Sequence, residues 1–365
     1  MSLESLDLEE VKKQIQEATL LELPKIGKLR EKALDLKISE LNYRQCHAIA
    51  PVATDGGDNR ITFQPLNIEI IRVVDSEGKE HVLKIVPLSI DPKMFKFFFG
   101  DIPVLKRMIE KLKITYEDVS YYLPYEENPE EINEDKIRGC IKTLREILEW
   151  AVLLDLAWNP GPARVLLLRD GLLRTKSMKP ETVAKLSKSF EDAYKKNGCM
   201  LIGVAKKSKV LNYLSLALEL NRTFYKDYPC FCEVPKEIEN ESYNWDQTKY
   251  KNLQVFGTMH LVKFVEQKEG LVFPVDVPKW LMDKRKEVLE YTAETAKTSF
   301  PTVGYPYPLI KAHENAVLHG LEMDILSDIM IKSVIENHED KEKDRILSHI
   351  TLGRGLSLGG WKEYG

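Results

Sequence analysis

Ala48-Ile49-Ala50-Pro51-Val52-Ala53-Thr54-Asp55-Gly56-Gly57 and Ala163-Arg164-Val165-Leu166-Leu167-Leu168-Arg169-Asp170-Gly171 are two hydrophobic runs that each close on an Asp-Gly step. Side chains along a strand alternate between faces, so a residue at the strand's end is the one free to meet groups from neighbouring elements. Asp55 and Asp170 read as two such ends, each followed by a glycine that lets another backbone come close. If the two strands are sheet neighbours, their carboxylates fall within the spacing that shares or bridges divalent ions. Asp-Gly is also a common turn dipeptide, so each step alone reads more readily as an ordinary turn.

Working outward, Cys46 to Thr54 reads as a strand, Arg60 to Val74 as a second and His81 to Pro87 as a third, with Asp75-Ser76-Glu77-Gly78 as a hairpin turn. Residues 8–42 read mostly as helix with a break at Leu23-Pro24, and Pro103 to Leu112 as another helix. Tyr121 to Asn133 is a Pro/Glu-rich connector. In Glu134 to Leu156, Ile137, Ile141, Leu144, Leu148 and Val152 recur at helical spacing. Arg164 to Arg169 is a buried strand, Pro180 to Asn197 a helix and Cys199 to Ala205 a strand. Phe256 to Glu266 and Gly270 to Val275 add two strands, followed by helices at Trp280 to Glu294, Leu309 to Leu318 and Met323 to Glu339. Three strands joined by short turns open a mixed sheet, not a dinucleotide-binding unit, and the whole reads as one α/β core with helical insertions.

The 365 residues, 43% hydrophobic, suffice for one large core or two ordinary ones. The 57 acidic and 53 basic residues leave a net charge of -4, which gives no global nucleic-acid signature but permits a local basic groove. Met1 to Glu10 carries acids rather than the basic start of a secretory signal, and no apolar run approaches the ~18 residues of a membrane span. A soluble, cytoplasmic protein with no membrane partner is the expectation. Cys46, Cys140, Cys199, Cys230 and Cys232 are odd in number and scattered, which argues against a disulfide framework. Cys230-Phe231-Cys232 has no matching second pair, so zinc is not expected.

Further candidates surround the two aspartates. Glu146 and Glu149 partly share a helix face, and Glu149 lies closer to the apolar stripe, where an unpaired carboxylate is costly. A metal would explain it; so would a salt bridge to Arg145 or Arg164. His313 follows a proline-rich turn and can be a ligand, position water or protonate a leaving group, or simply pack. Lys206, Lys207 and Lys209 can meet phosphate, or form a solvated loop. Tyr305 and Tyr307 can stack on unpaired bases, or cover the core. Oxygen-rich donors suit magnesium or manganese better than softer metals.

Taken together, the set resembles the NurA family of DNA-end-processing nucleases. The resemblance rests on Thr54-Asp55-Gly56-Gly57, on Leu166 to Leu173 followed by Leu201-Ile202-Gly203-Val204-Ala205-Lys206-Lys207-Ser208, and on Tyr307 to Ala316, with Phe273-Pro274-Val275-Asp276-Val277-Pro278 preceding the last. It spans about residues 45–325, between an N-terminal helical region (1–44) and a C-terminal helix and tail (326–365). It implies an RNase H-like mixed sheet flanked by helices, related in topology to Piwi nuclease domains. It also implies a manganese-dependent nuclease (magnesium being the other candidate ion) that acts on single-stranded DNA and trims DNA ends 5′ to 3′. Family members work as ring-like homodimers on the hexameric HerA translocase in double-strand break repair.

Residue by residue, the resemblance places catalytic and metal-binding roles on Asp55, Asp170 and His313. The helical glutamate falls on Glu149, with Glu146 as the other choice, and Lys206 matches a basic position. Gly57 stands where a serine is frequent, and Pro274 where an arginine often lies. Two other functions stay open: a repair subunit that keeps the fold and binds DNA or the translocase without cutting, and a small-nucleotide phosphohydrolase. The first predicts acids too far apart or blocked by a basic side chain, the second a closed pocket.

Overall fold

In the computed structural model, which describes residues 8–45, 49–63, 66–91, 94–123, 134–161, 164–244, 253–346 and 348, the chain opens with a helix, α1 (Leu8–Leu34), and a short strand, β1 (Ser39–Glu40). Strands β2 (Ile49–Phe63), β3 (Leu66–Asp75) and β4 (Glu80–Pro87) follow. Helices α2 (Phe95–Gly100), α3 (Pro103–Leu112), α4 (Tyr116–Val119) and α5 (Glu134–Trp158) lead into β5 (Arg164–Asp170) and β6 (Arg174–Thr175). Next come α6 (Pro180–Asn197), β7 (Met200–Val204), α7 (Lys209–Leu220), β8 (Cys230–Glu233) and α8 (Lys236–Asn244). The chain continues through β9 (Gln254–Val255), β10 (Gly257–Lys263), β11 (Val272–Pro278), a 3-10 segment (Lys279–Lys284), α9 (Arg285–Ala296), α10 (Tyr307–Ala316) and α11 (Gly320–Glu336).

Nine strands form one mixed sheet in the order β1-β8-β10-β11-β7-β5-β2-β3-β4. Its centre, β2-β5-β7, is parallel; every other pair is antiparallel. Leu166, Leu167 and Leu168 are wholly buried because both faces of β5 are covered, which is why this strand reads as a continuous apolar run. Alternation divides the core. Val165, Leu167 and Leu201 pack under α5 and α6, whereas Ala53, Leu166, Leu168, Ile202 and Val204 pack under α9 and α10. A further core joins α1, α7 and α8 to β8 and β10.

Local signals account for the helix ends. Pro180 opens α6 at a position where its missing N–H costs nothing, and Gly198, at φ 71°, closes it with its N–H on the Tyr194 carbonyl at 2.8 Å. α3 likewise starts at Pro103 and ends where Lys113 turns left-handed.

Several expectations need correction. β2 does not stop before Asp55 but runs on to Phe63, because β3 pairs with it along Thr54 to Phe63 and supplies the hydrogen bonds that Gly56 and Gly57 could not secure by propensity. The expected strand from Arg60 to Val74 is therefore the end of β2 plus β3; residues 64–65 lie outside the described residues, as does Cys46. α1 is not broken at Pro24 and ends at Leu34; the turns around Pro24 are exposed, so water can replace the missing bond. Residues 209–244, for which periodicity gives no assignment, hold α7, β8 and α8. α10 and α11 begin at Tyr307 and Gly320, earlier than their apolar stripes suggested. Most of the expected connector, residues 124–133, and the glycine-rich terminus lie outside the described residues. Among the described residues no helix is long and apolar enough to cross a membrane.

Candidate metal centre

β2 and β5 run side by side only as far as the Thr54–Arg169 pair. One residue further, Asp55 and Asp170 flank the place where the strands part, both on the face covered by α9 and α10. α10 brings His313 to the same place. One ligand atom from each of Asp55, Asp170 and His313 lies within 4.8 Å of the other two. His313 Nδ1 is 2.8 Å from Asp55 Oδ2, while Asp55 Oδ1 accepts its own Gly56 N–H at 2.8 Å.

The approach of α10 depends on Gly57. A Cβ at this position would stand 2.4 Å from the Ala316 carbonyl oxygen, so any side chain there would force the helix off the strand. A serine at this position has no room unless α10 moves.

Burial first, and then the Asp170 charge, push the Asp55 carboxyl above its ordinary value, and the hydrogen bonds from His313 and Gly56 only partly offset this. Two carboxylates that repel each other in a half-buried cleft are a site that a cation would relieve. Two carboxylate oxygens and one imidazole nitrogen are donors that manganese and magnesium accept.

Around the cluster the sequence candidates separate. Tyr305 is wholly buried, packed on Phe273 at 5.2 Å between ring centroids. Its hydroxyl donates to Asp170 Oδ1 at 3.0 Å, with the Val204 carbonyl at 3.3 Å. It therefore orients a site carboxylate and has no free face for a base, correcting the stacking role considered for it; burial and the Asp170 charge raise its hydroxyl's pKa. No local signal distinguished this tyrosine from Tyr307, which is exposed with Lys311 over its ring at 5.6 Å. Lys206 Nζ stands 3.6 Å from Asp170 Oδ2, Lys207 is exposed, and Lys209 is the first residue of α7 rather than part of a loop.

Glu149 approaches from the other face of the sheet. Its Oε1 would stand 2.6 Å from a Cβ at Gly56, so it lies directly against the β2 backbone, opposite the side on which α10 sits. It is not among the clustered ligand atoms. Its carboxylate faces Arg145 Nε at 3.5 Å and the Arg169 guanidinium at 3.9 Å, its ion-pair partners among the described residues, which do not include the Arg164 side chain. Burial nonetheless pushes Glu149 up to about 8. Glu146 accepts from the Ser177 hydroxyl and faces Arg169 at 3.6 Å. Arg169, beside Asp170 in sequence, lies with its guanidinium 4.4 Å from the centre of the Trp150 ring and donates to the Leu172 carbonyl at 2.7 Å. Pattern reading missed its part in tying α5 to the strand end.

The NurA-domain family model matches residues 52–318, a span that includes Asp55, Asp170 and His313. The chain belongs to the NurA family. It is similar in fold to the NurA nuclease from Sulfolobus solfataricus, at 15% identity and a TM-score of 0.50 over 93% of this chain and 99% of that one. Two further NurA crystal structures align. One, at 12% identity, has a TM-score of 0.40 over 92% of this chain and 99% of the other. A second, bound to dAMP and manganese, has 11% identity and a TM-score of 0.38 over 91% and 99%. No curated protein matches the chain. The NurA fold is the RNase H-like mixed sheet described above, with helices on both faces.

Proposed function

We propose that this NurA-family chain is a metal-dependent DNA nuclease, with manganese as the preferred ion and magnesium as the alternative. The observation that carries the reading is the convergence of Asp55, Asp170 and His313 from two strands and a helix onto ligand atoms within 4.8 Å of one another. A non-cutting subunit would be expected to hold these acids apart or blocked. Lys206 stands beside Asp170, but its side chain is 45% exposed and so has solvent into which to withdraw.

Asp55, Asp170 and His313 would hold the ion, and Tyr305 keeps Asp170 turned toward it. A divalent cation bound there lowers the pKa of attacking water and neutralises charge that builds on phosphate oxygens. The resemblance assigns Glu149 to the centre as well, but its carboxyl lies across β2 from the three ligands and faces Arg145 and Arg169, so it would act on the centre only through the Gly56 backbone. Lys206, Lys207 and Lys209, with the exposed ring of Tyr307, supply cationic and stacking groups for a strand.

Single-stranded DNA and DNA ends are the proposed substrates, trimmed 5′ to 3′ by a homodimer working with a HerA-type hexameric translocase in break repair. The test is digestion of end-labelled single- and double-stranded DNA with manganese or magnesium, comparing wild type with Asp55→Ala. Metal-dependent shortening by wild type alone is the expected result; equal degradation by both proteins would overturn the assignment. Repeating the digestion with the translocase present reads partner dependence.

A further inference from the structure

Two of the three clustered ligands are tied, two residues away, to the same pair of residues in the hairpin between β3 and β4. On the strand side, Ser76 N–H donates to the Ala53 carbonyl at 2.8 Å and Ser76 Oγ accepts the Ala53 N–H at 3.1 Å, two residues before Asp55. On the helix side, Asn315 Nδ2 donates to the Asp75 carbonyl at 3.1 Å, two residues after His313.

The hairpin is built to be stiff. Asp75 Oδ1 accepts the N–H groups of Glu77 and Lys79, both at 3.0 Å, and Oδ2 lies 2.8 Å from His81 Nε2. Gly78, at φ 86°, closes the turn under the Asn315 amide. The Asp75 side chain is thus occupied inside the turn, and its carbonyl is what the turn offers to α10.

We propose that Asn315 is a positioning residue for His313: its amide clamps α10 to the Asp75-Ser76 hairpin, which also holds the strand that carries Asp55, so one rigid turn sets the separation of the two ligands. The proposal rests on the metal-centre reading. Groups that orient metal ligands typically change affinity or rate by roughly 10–100-fold when removed, and displacement of a reacting group by about 1 Å can cost about 100-fold.

The deciding variant is Asn315→Leu, similar in shape without the donor. Manganese binding without DNA is measured by titration calorimetry, kcat and KM on end-labelled single-stranded DNA at saturating manganese, and Tm by thermal unfolding. The expected result is manganese affinity and kcat each lowered about 10-fold with KM for DNA unchanged, and substantial recovery in Asn315→Gln, which keeps a donor. Ser76→Ala cuts the strand-side tie and is expected to weaken manganese binding in the same direction. Wild-type affinity and kcat in Asn315→Leu overturn the proposal, whether or not Tm falls. So does a raised KM with unchanged kcat, which would place Asn315 on the DNA. If wild type binds manganese but does not cut, the nuclease reading fails while calorimetry on the variants still decides the clamp.

Discussion

His313 Nδ1 and Asp55 Oδ2 stand 2.8 Å apart although 258 positions separate them in the chain, and they meet because residue 57 is glycine. Gly57→Ala places a methyl group where the Ala316 carbonyl lies. α10 must lift or turn, and the His313–Asp55 contact lengthens. We expect manganese affinity to fall at least about 10-fold in Gly57→Ala. Calorimetric titration with manganese measures this; wild-type affinity would show that α10 reseats without cost.

Asp55 is held in a setting that disfavours its charge until a cation arrives. An acid whose folded value is raised carries a penalty at neutral pH that disappears as pH falls through that value. Asp55→Asn removes the penalty while keeping the shape. Without metal, the variant is expected to melt higher than wild type at pH 7. With manganese the order should reverse, since only wild type gains binding energy from the ion. Thermal unfolding with and without manganese checks both halves, and a variant that melts lower in metal-free buffer contradicts them.

His260 reports on acid stability away from the centre. It is wholly buried in β10, its Nδ1 3.0 Å from the Thr258 carbonyl, and burial pushes its pKa down to about 4. The unfolded chain binds a proton near pH 6.5 while the folded one stays neutral. Stability contributed by this group is therefore full above about 6.5 and is lost as pH falls toward 4, by roughly 3 kcal/mol in total. Urea unfolding of wild type and His260→Gln between pH 4 and 7 measures it. The variant should show a flatter dependence; parallel curves would dismiss the assignment.

Asp276 has no solvent exposure, and Arg174 neutralises it with two bonds, Nε to Oδ2 at 2.7 Å and Nη2 to Oδ1 at 2.8 Å, while also donating to Glu239 at 2.6 Å. Arg174→Met leaves buried Asp276 without its cation, while Glu239 keeps Lys236 at 2.8 Å, and the loss should cost about 3–5 kcal/mol. Adding Asp276→Val should recover part of that loss. Denaturant midpoints read both; a single variant as stable as wild type would mean that water reaches the pair.

Local physics made much of the chain legible. The helix from Pro103 to Leu112 and the one from Pro180 to Asn197 have the bounds their sequences suggest, because an initial proline, a 3.6-residue apolar repeat and, for the second, a closing glycine are encoded within the segment itself. The buried run Leu166-Leu167-Leu168 and its terminal Asp170 were equally local. Tertiary pairing decided the rest. β2 passes through two glycines because β3 binds it there. Glu149 stands on the face opposite Asp55 because strand alternation and the missing side chain at Gly56 admit it from that side. Tyr305 turns inward to Asp170 whereas Tyr307, two residues later, faces solvent. The sequence by itself determined which residues were able to hold a metal. Which of them meet depended on strand register, sheet face and the seat of α10, all set by contacts between residues far apart in the chain.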